Sequence, residues 1–586
     1  MNRKHFYVEV LLALALWFAS SCTGKDANAS LNPNALPQAP NAVVGSGGVP
    51  TQTPNAADAS GGAPAQAPGL AAASAGAPPP APNAAAGSVS MPAQPGVGAA
   101  GSSADADAGP GALPDAAVGG GDPTPLRPRD PSPNAPPVTV TRPTTTGKGP
   151  FSVPDALGVG IDLSKYGYVQ EEFFFEGDAI SYTLQGGAPM NGKWTAVASS
   201  TKAAYRSRML VRRPTDAAKF NGTVVVEWFN VTSGSDIDVG FLYNQEEALR
   251  EGYVWVGVSA QKAGIDGAGV FADLIAGSDS RLRMVNQSLK MNDPERYSSL
   301  VHPGDKYSFD IFTQAAEVIR NPGSLDVLGG LEPKRLMAYG ESQSAFCMVT
   351  YVDAVHPLVK VYDGFFIHSR NESGVAIDGT ISAAGPLQIR TDLEQPVFQF
   401  QTDSDVYGAL AYWRARQPDS DRVHTWEVAG TAHIDQSVGT FDFKTLGCSS
   451  VNNGPQRFVV KAALHAVNRW MIDGTAPPGA QPMMLDSNGS PRLDANGNVL
   501  GGVRSPDVDV PIATNSGIGE ADNFVCFLFG TTTPFTPDKL RSLYPTHEDY
   551  VSKVSASARS AAQAGFLLAP EEQAIVDRAS AAQVPP

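Results

Sequence analysis

The sequence predicts an α/β fold with a mostly parallel central sheet and helices on both faces. Three observations carry this. Short apolar runs recur along the chain, at Thr223–Phe229, Tyr253–Ser259, Arg335–Tyr339, Lys360–Ile367, Pro396–Gln401 and Val423–Val428. Several have no clean polar alternation, as expected of strands covered on both faces. Between them lie segments able to form helices, at Asn244–Glu251, Tyr307–Arg320, Gln343–His356 and Leu410–Gln417, and strands alternating with helices imply parallel pairing. The third observation is local. The run Arg335-Leu-Met-Ala-Tyr339 enters a Gly-Glu-Ser-Gln-Ser turn centred on Ser342 and continues as a small-residue apolar segment, reading as strand, sharp turn and helix.

In chain order, the sequence opens with Met-Asn-Arg-Lys, an apolar run from about Phe6 to Phe18, and Ala19-Ser-Ser-Cys22. A basic start, a short apolar stretch and small residues before a cleavage point describe a secretory signal, 1–22. Cys22 stands where a bacterial lipobox places its lipidated cysteine. Its alternative is an ordinary signal peptide with a chance cysteine. A membrane-spanning anchor is disfavoured, since the run is short for a span. Residues 23–148 are dominated by Ala, Pro, Gly and Ser and hold too little apolar surface to repay the entropy of ordering. They are expected to form a disordered tether, whose flexible reach would be about 60 Å, holding a domain at 149–586 off a membrane surface.

Within that domain, Tyr168–Thr183 and Tyr205–Arg212 are expected to be the antiparallel start of the sheet. Gly264 to about Pro303 has weak periodicity and is expected to be an insertion or lid. From about residue 440 the strand–helix rhythm stops. This C-terminal extension contains helical segments at Phe458–Ile472, Glu548–Ala564 and Pro570–Ala582, and a tight turn at Asp494–Asn498. An Asn-Gly hairpin explains that turn better than a calcium loop, because it lacks the distal glutamate and has its glycine too early.

The pattern resembles the α/β-hydrolases, and within them the large bacterial group known as α/β-hydrolase domain proteins. The residues that carry the resemblance are Gly340-Glu-Ser-Gln-Ser-Ala345, Ala429-Gly-Thr-Ala-His433 and Gly501-Gly-Val-Arg-Ser-Pro506. It spans roughly Gly149 to Tyr550. The turn departs from Gly-x-Ser-x-Gly in having Ser344 at the second glycine.

Serine nucleophiles need a base within hydrogen-bond reach and a third group to orient it. The resemblance implies the chain order serine, acid, histidine, and the sequence supplies Ser342, Asp405 and His433. Acid and histidine both follow predicted parallel strands, where sites form in open α/β sheets. Asp403 is the competing acid, with Glu372 behind it, and His368 is the competing histidine. The developing oxyanion needs two donors. The expected ones are the backbone N–H of Gln343 and one from the loop after Phe229, at Asn230 or Val231.

The composition excludes other classes. The net charge is -16 with no Lys/Arg cluster beyond the extreme N-terminus, which argues against nucleic-acid binding. Neither HExxH nor paired CxxC is present, nor a dinucleotide or Walker A fingerprint, so no cofactor and no catalytic metal is expected. Cys347 reads as a small core residue. Cys448 and Cys526, in an exported chain, are expected to form a disulfide. The expectation is therefore an exported, lipid-anchored serine hydrolase that cleaves a small-molecule or polymeric ester. The same residues would serve an amide, peptide or thioester. A non-catalytic surface binding protein on the same scaffold is the reading from another class.

Overall fold

The computed structural model describes residues 138–143, 147–267, 287–377, 385–439, 443–520 and 524–586. The predicted signal segment with Cys22, the tether as far as 137 and the middle of the predicted lid, 268–286, lie outside them.

Continuous runs of Val, Phe, Trp and Tyr build the sheet. Its strands are β1 Thr139–Thr141, β2 Tyr168–Leu184, β3 Ala196–Pro214, β4 Thr223–Trp228, β5 Val254–Val258, β6 Arg335–Glu341, β7 Gly364–His368, β8 Val397–Thr402 and β9 Val423–Val428. They lie in the order β1-β2-β3-β5-β4-β6-β7-β8-β9. The first three pair antiparallel, β3 meets β5 antiparallel, and β5 to β9 pair in parallel. Alternate residues of each parallel strand feed opposite faces. Val224, Val226 and Trp228 join one core and Val225 the other; Leu336 and Ala338 oppose Met337 and Tyr339 in the same way.

Four helices cover these faces: α1 Val239–Arg250, α2 Ser308–Arg320, α3 Gln343–Thr350 and, beyond the short α4 Asp403–Tyr407, α5 Gln456–Asp473. Apolar residues of α2 and α3 fill one core, and those of α1 and α5 the other. The helices α6 His547–Gln563 and α7 Ala569–Ala581 add Tyr550, Val554, Ala558 and Ile575 to the second core.

The C-terminal extension also covers the sheet edge. Val503 bridges Val428 in parallel, donating its N–H to Glu427 O at 2.7 Å and accepting from Ala429 N–H at 3.0 Å. This gives Gly501–Pro506 its structural task. A Cβ on Gly502 would come within 2.7 Å of Glu427 O, so the backbone reaches the edge only where the side chain is hydrogen. An open edge strand is thereby capped. The predicted turn forms: Asp494 pairs with Asn498, and its carboxylate accepts the N–H groups of Asn496 and Asn498 at 2.8 and 3.0 Å.

Three expectations are corrected. The ordered chain begins before residue 149. Val140, between the exposed Thr139 and the half-buried Thr141, is buried and pairs with Phe175 of β2. The helix expected at Leu410–Gln417 is only a short 3-10 turn, Tyr412–Ala415, because Ala411 takes a left-handed backbone (φ 49°) that breaks it. A helix forms earlier instead, at α4. Lys360–Asp363 is not strand, since Lys360 ends the preceding helical segment at φ 47°. Within the predicted insertion or lid, at its two ends, Ile265, Leu289, Tyr297 and Leu300 pack on Phe174 of β2.

Candidate active site

Ser342 sits between β6 and α3 with φ 54° and ψ −118°. That conformation is costly for a non-glycine residue and clusters at functional sites. Several contacts hold it. The Ser342 N–H donates to His368 O of β7 at 2.9 Å. A Cβ on Gly340 would lie 2.8 Å from Ser344 O, so strand and helix approach closely here. Ser344 does more than stay small. Its Oγ donates to Glu341 O at 2.8 Å and accepts from Glu341 N–H at 2.9 Å, tying the first helical turn to the strand end. The departure from a second glycine thus becomes a local fastening.

Asp405 is placed by the N-terminus of α4. Thr402 caps that helix, and its N–H and Oγ1 both donate to Asp405 Oδ2 at 2.7 Å. The reciprocal cap leaves Oδ1 to face the next loop. There it meets His433 Nδ1 at 2.6 Å, and His433 Nε2 lies 2.7 Å from Ser342 Oγ. A carboxylate on Nδ1 fixes the proton there and leaves Nε2 to accept from the serine. All three side chains are buried. Burial alone would lower the His433 pKa, but the charge and hydrogen bond of Asp405, helped by Glu341, raise it above the ordinary value.

Asp403, the competing acid, faces away from the histidine. Its carboxylate accepts the N–H groups of Gly430 at 3.2 Å and Gly517 at 3.4 Å, and burial lifts it to about 7. Glu372 pairs with Arg414 instead. The ring of His368 reaches Tyr339 OH at 2.8 Å and Gln456 Nε2 at 3.1 Å, and burial lowers its pKa to about 3. None of the three side chains joins the hydrogen-bond chain from Ser342 Oγ through His433 to Asp405.

Asn230 is a correction. Its backbone N–H donates to Ile237 O at 3.1 Å, closing the loop between β4 and α1, and so is spent. The Asn230 side chain donates to Glu341 O and Oε2 at 3.2 and 3.0 Å. The next amide, Val231 N–H, faces the Gln343 side chain, meeting its Oε1 at 3.3 Å. Buried ion pairs hold this loop: Arg208 contacts Glu172 and Asp236, and Arg212 contacts Asp238.

Sequence reasoning missed Glu341, whose Oε1 lies 3.9 Å from His433 Nε2. The turn motif contains it, but only the fold shows which way it points. It also missed Ser404, whose hydroxyl accepts from His433 N–H at 2.9 Å and donates to Gly517 O. Cys448 and Cys526 are disulfide-bonded, and Cys347, outside any disulfide, is buried on α3. Among the described residues, no cluster of three or more His, Cys, Asp or Glu could hold a metal, and no helix is long and apolar enough to cross a membrane.

A strand–serine–helix turn above a parallel sheet, with a histidine and acid from the next strand ends, defines the α/β-hydrolase class. The family model described as alpha/beta hydrolase domain matches residues 135–577, and the chain belongs to that family. Among solved structures, the chain is similar to a putative dienelactone hydrolase from Klebsiella pneumoniae (13% identity, TM-score 0.22, covering 43% of this chain and 85% of that one). An esterase from Pyrococcus furiosus is similar at 11% identity and TM-score 0.23 over 49% of this chain and 87% of that one. A glucuronoyl esterase from Solibacter usitatus is similar at 9% identity and TM-score 0.23, over 51% and 82%. No curated protein matches the sequence.

Proposed function

We propose that this α/β-hydrolase is a serine hydrolase that cleaves carboxylic esters. The observation that carries the reading is the continuous chain Ser342 Oγ, His433 Nε2, His433 Nδ1, Asp405 Oδ1, with links of 2.7 and 2.6 Å. Ser342 attacks the ester carbonyl as His433 takes its proton, and Asp405 holds the imidazole tautomer and stabilises the imidazolium. The N–H groups of Gln343 and Val231 stabilise the oxyanion, Val231 by turning from the Gln343 side chain. His433 returns the proton to the departing alcohol. Water activated by the same histidine then releases the acid.

The reading includes export through the signal segment, with Cys22 lipidated and the Ala/Pro/Gly-rich stretch as tether. Turnover of an ester panel of graded acyl length tests the chemistry: wild type should hydrolyse at least one member and Ser342→Ala none above background. Equal rates for the two proteins would refute it. Metabolic labelling with a palmitate analogue, lost in Cys22→Ala, tests the anchor.

A further inference from the structure

One group of the site, beyond its influence on His433, takes no part in the proton transfers above. Glu341 immediately precedes the nucleophile and is 2 % exposed. Its Oε2 accepts from Asn230 Nδ2 at 3.0 Å, while its Oε1 has no hydrogen-bond partner in the protein. Leaving a buried carboxyl oxygen unmet costs free energy, and such groups call for an explanation in function. The titratable groups acting on it or it on them are His433, Asp405, Tyr243 and Tyr339. None of these hydrogen-bonds to Oε1.

Geometry narrows what Oε1 can do. It stands 3.9 Å from His433 Nε2, too far for a direct hydrogen bond and near enough for one small molecule to reach both atoms. In the resting site Nε2 is engaged by Ser342 Oγ at 2.7 Å. Once Oγ is acylated it has no proton to give, and Nε2 becomes an open acceptor beside Oε1. A molecule with two hydrogens on one oxygen fits that pair of acceptors.

Resting on the serine-hydrolase reading, we infer that Glu341 Oε1 and His433 Nε2 together hold the water that cleaves the acyl-enzyme, making Glu341 a further catalytic residue for the second half of the reaction. One water hydrogen points at each acceptor, which turns an oxygen lone pair toward the acyl carbon. As the new C–O bond forms, His433 Nε2 takes one proton and the carbonyl electron pair moves onto the oxyanion. Collapse breaks the bond to Ser342 Oγ, which recovers the proton from Nε2, and the carboxylic acid departs. Glu341 holds the second hydrogen throughout and neither gains nor loses a proton. Holding the nucleophile in line is the source of the rate gain. The first half-reaction offers Oε1 no such task, because the leaving alcohol receives its only hydroxyl hydrogen from Nε2.

This asymmetry supplies the test. Methanol has one hydroxyl hydrogen, which Nε2 takes, so methanolysis of the acyl-enzyme needs no second acceptor. In Glu341→Gln, Asn230 would hold the amide oxygen and turn the NH2, a donor, toward the water. Wild type and variant are given p-nitrophenyl acetate in a fixed concentration of methanol, and methyl acetate and acetate are measured. The ratio of methyl acetate to acetate should rise at least tenfold in Glu341→Gln; it is a partition of one acyl-enzyme and so does not depend on how fast Ser342 is acylated. An unchanged ratio overturns the role of Glu341. Absence of methyl acetate from wild type while acetate is released overturns the acyl-enzyme reading, and the inference with it. If Glu341→Gln does not fold, Glu341→Asp takes its place, since it withdraws the carboxylate by one methylene. The same ratio should rise in that variant, and an unchanged ratio there overturns the role of Glu341 equally.

Discussion

The two ends of the proposed proton path are built differently. The turn around Ser342 is held mostly by its own neighbours: Gly340 permits the close approach and Ser344 fastens helix to strand. The loop carrying His433 is held from far along the chain. Ser404 Oγ links His433 N–H to Gly517 O, and Asp403 clamps the N–H groups of Gly430 and Gly517. Asn452 Nδ2 donates to Gly430 O and Ser516 O, both at 3.1 Å, and Ile434 N–H donates to Leu528 O at 3.2 Å. The proposed nucleophile is thus locally encoded, while the proposed base depends on the C-terminal extension. That extension, without any chemistry of its own in the proposed reaction, becomes part of the scaffold of the proposed site.

The two aspartates of α4 give the largest contrast. Asp405→Asn removes the orienting charge and should lower kcat by about 10⁴-fold at nearly unchanged thermal midpoint, the size of effect seen when a triad acid is neutralised. Asp403→Asn should show the reverse balance, with the thermal midpoint falling and kcat falling far less. Equal kcat losses would erase the distinction between orienting acid and loop clamp.

Next comes the staple. Cys448 and Cys526 are 78 residues apart, and loss of their bond in a Cys448→Ser/Cys526→Ser protein should cost about 4 kcal/mol in the chain-entropy model. Denaturant melts measure this, and activity should fall before the far-UV circular dichroism does, because the bond lies beside the segments that hold the histidine loop. Smaller effects separate the two ends again. A Cβ on Gly517 would lie 2.4 Å from Asp403 Cβ and Ser404 N, so Gly517→Ala should cost about 1–3 kcal/mol. It should also slow labelling of Ser342 by displacing His433. Ser344→Ala removes the hydroxyl that fastens Glu341 to the first turn of α3 and should cost about 1 kcal/mol, disturbing the serine rather than the histidine.

The gentlest effect is that of pH on stability. Burial raises Glu227 to about 8 and Asp305, Asp403 and Glu341 to about 7. Each folded value exceeds the unfolded one, so the stability these groups contribute is complete below about pH 4 and is lost as pH rises through 7 to 8. His302 and His368, lowered by burial to about 4 and 3, act oppositely but only below their unfolded value of about 6.5. The thermal midpoint should therefore fall between about pH 6.5 and 8.5. A rise across that window would contradict the burial of these carboxyls.

The same division explains what the sequence revealed. Strands β4 to β9 and the Ser342 turn are legible because burial on both faces and a tight strand–helix turn leave continuous signatures. Asp405 and His433 are legible as residues following strands, but the reason Asp405 and not Asp403 meets the histidine is the Thr402 cap, which sets which carboxylate faces inward. The spent N–H of Asn230 is a pairing with Ile237 inside one loop, which no periodicity marks. Asp403, Ser404, Asn452 and Gly517 meet only after the extension folds back on β8 and β9, so their task has no local signal. Glu341 was in plain view within the motif, and only its orphaned oxygen, aimed beside His433, gives it a role.

The central claim is that Ser342 is a nucleophile activated by His433 and oriented through Asp405. Labelling with a fluorophosphonate, followed by peptide mass mapping, tests it most directly. One equivalent should be found on the peptide containing Ser342, with no adduct in Ser342→Ala and labelling slowed at least a hundredfold in His433→Ala. An adduct on another residue, or labelling undiminished in Ser342→Ala, would contradict the account.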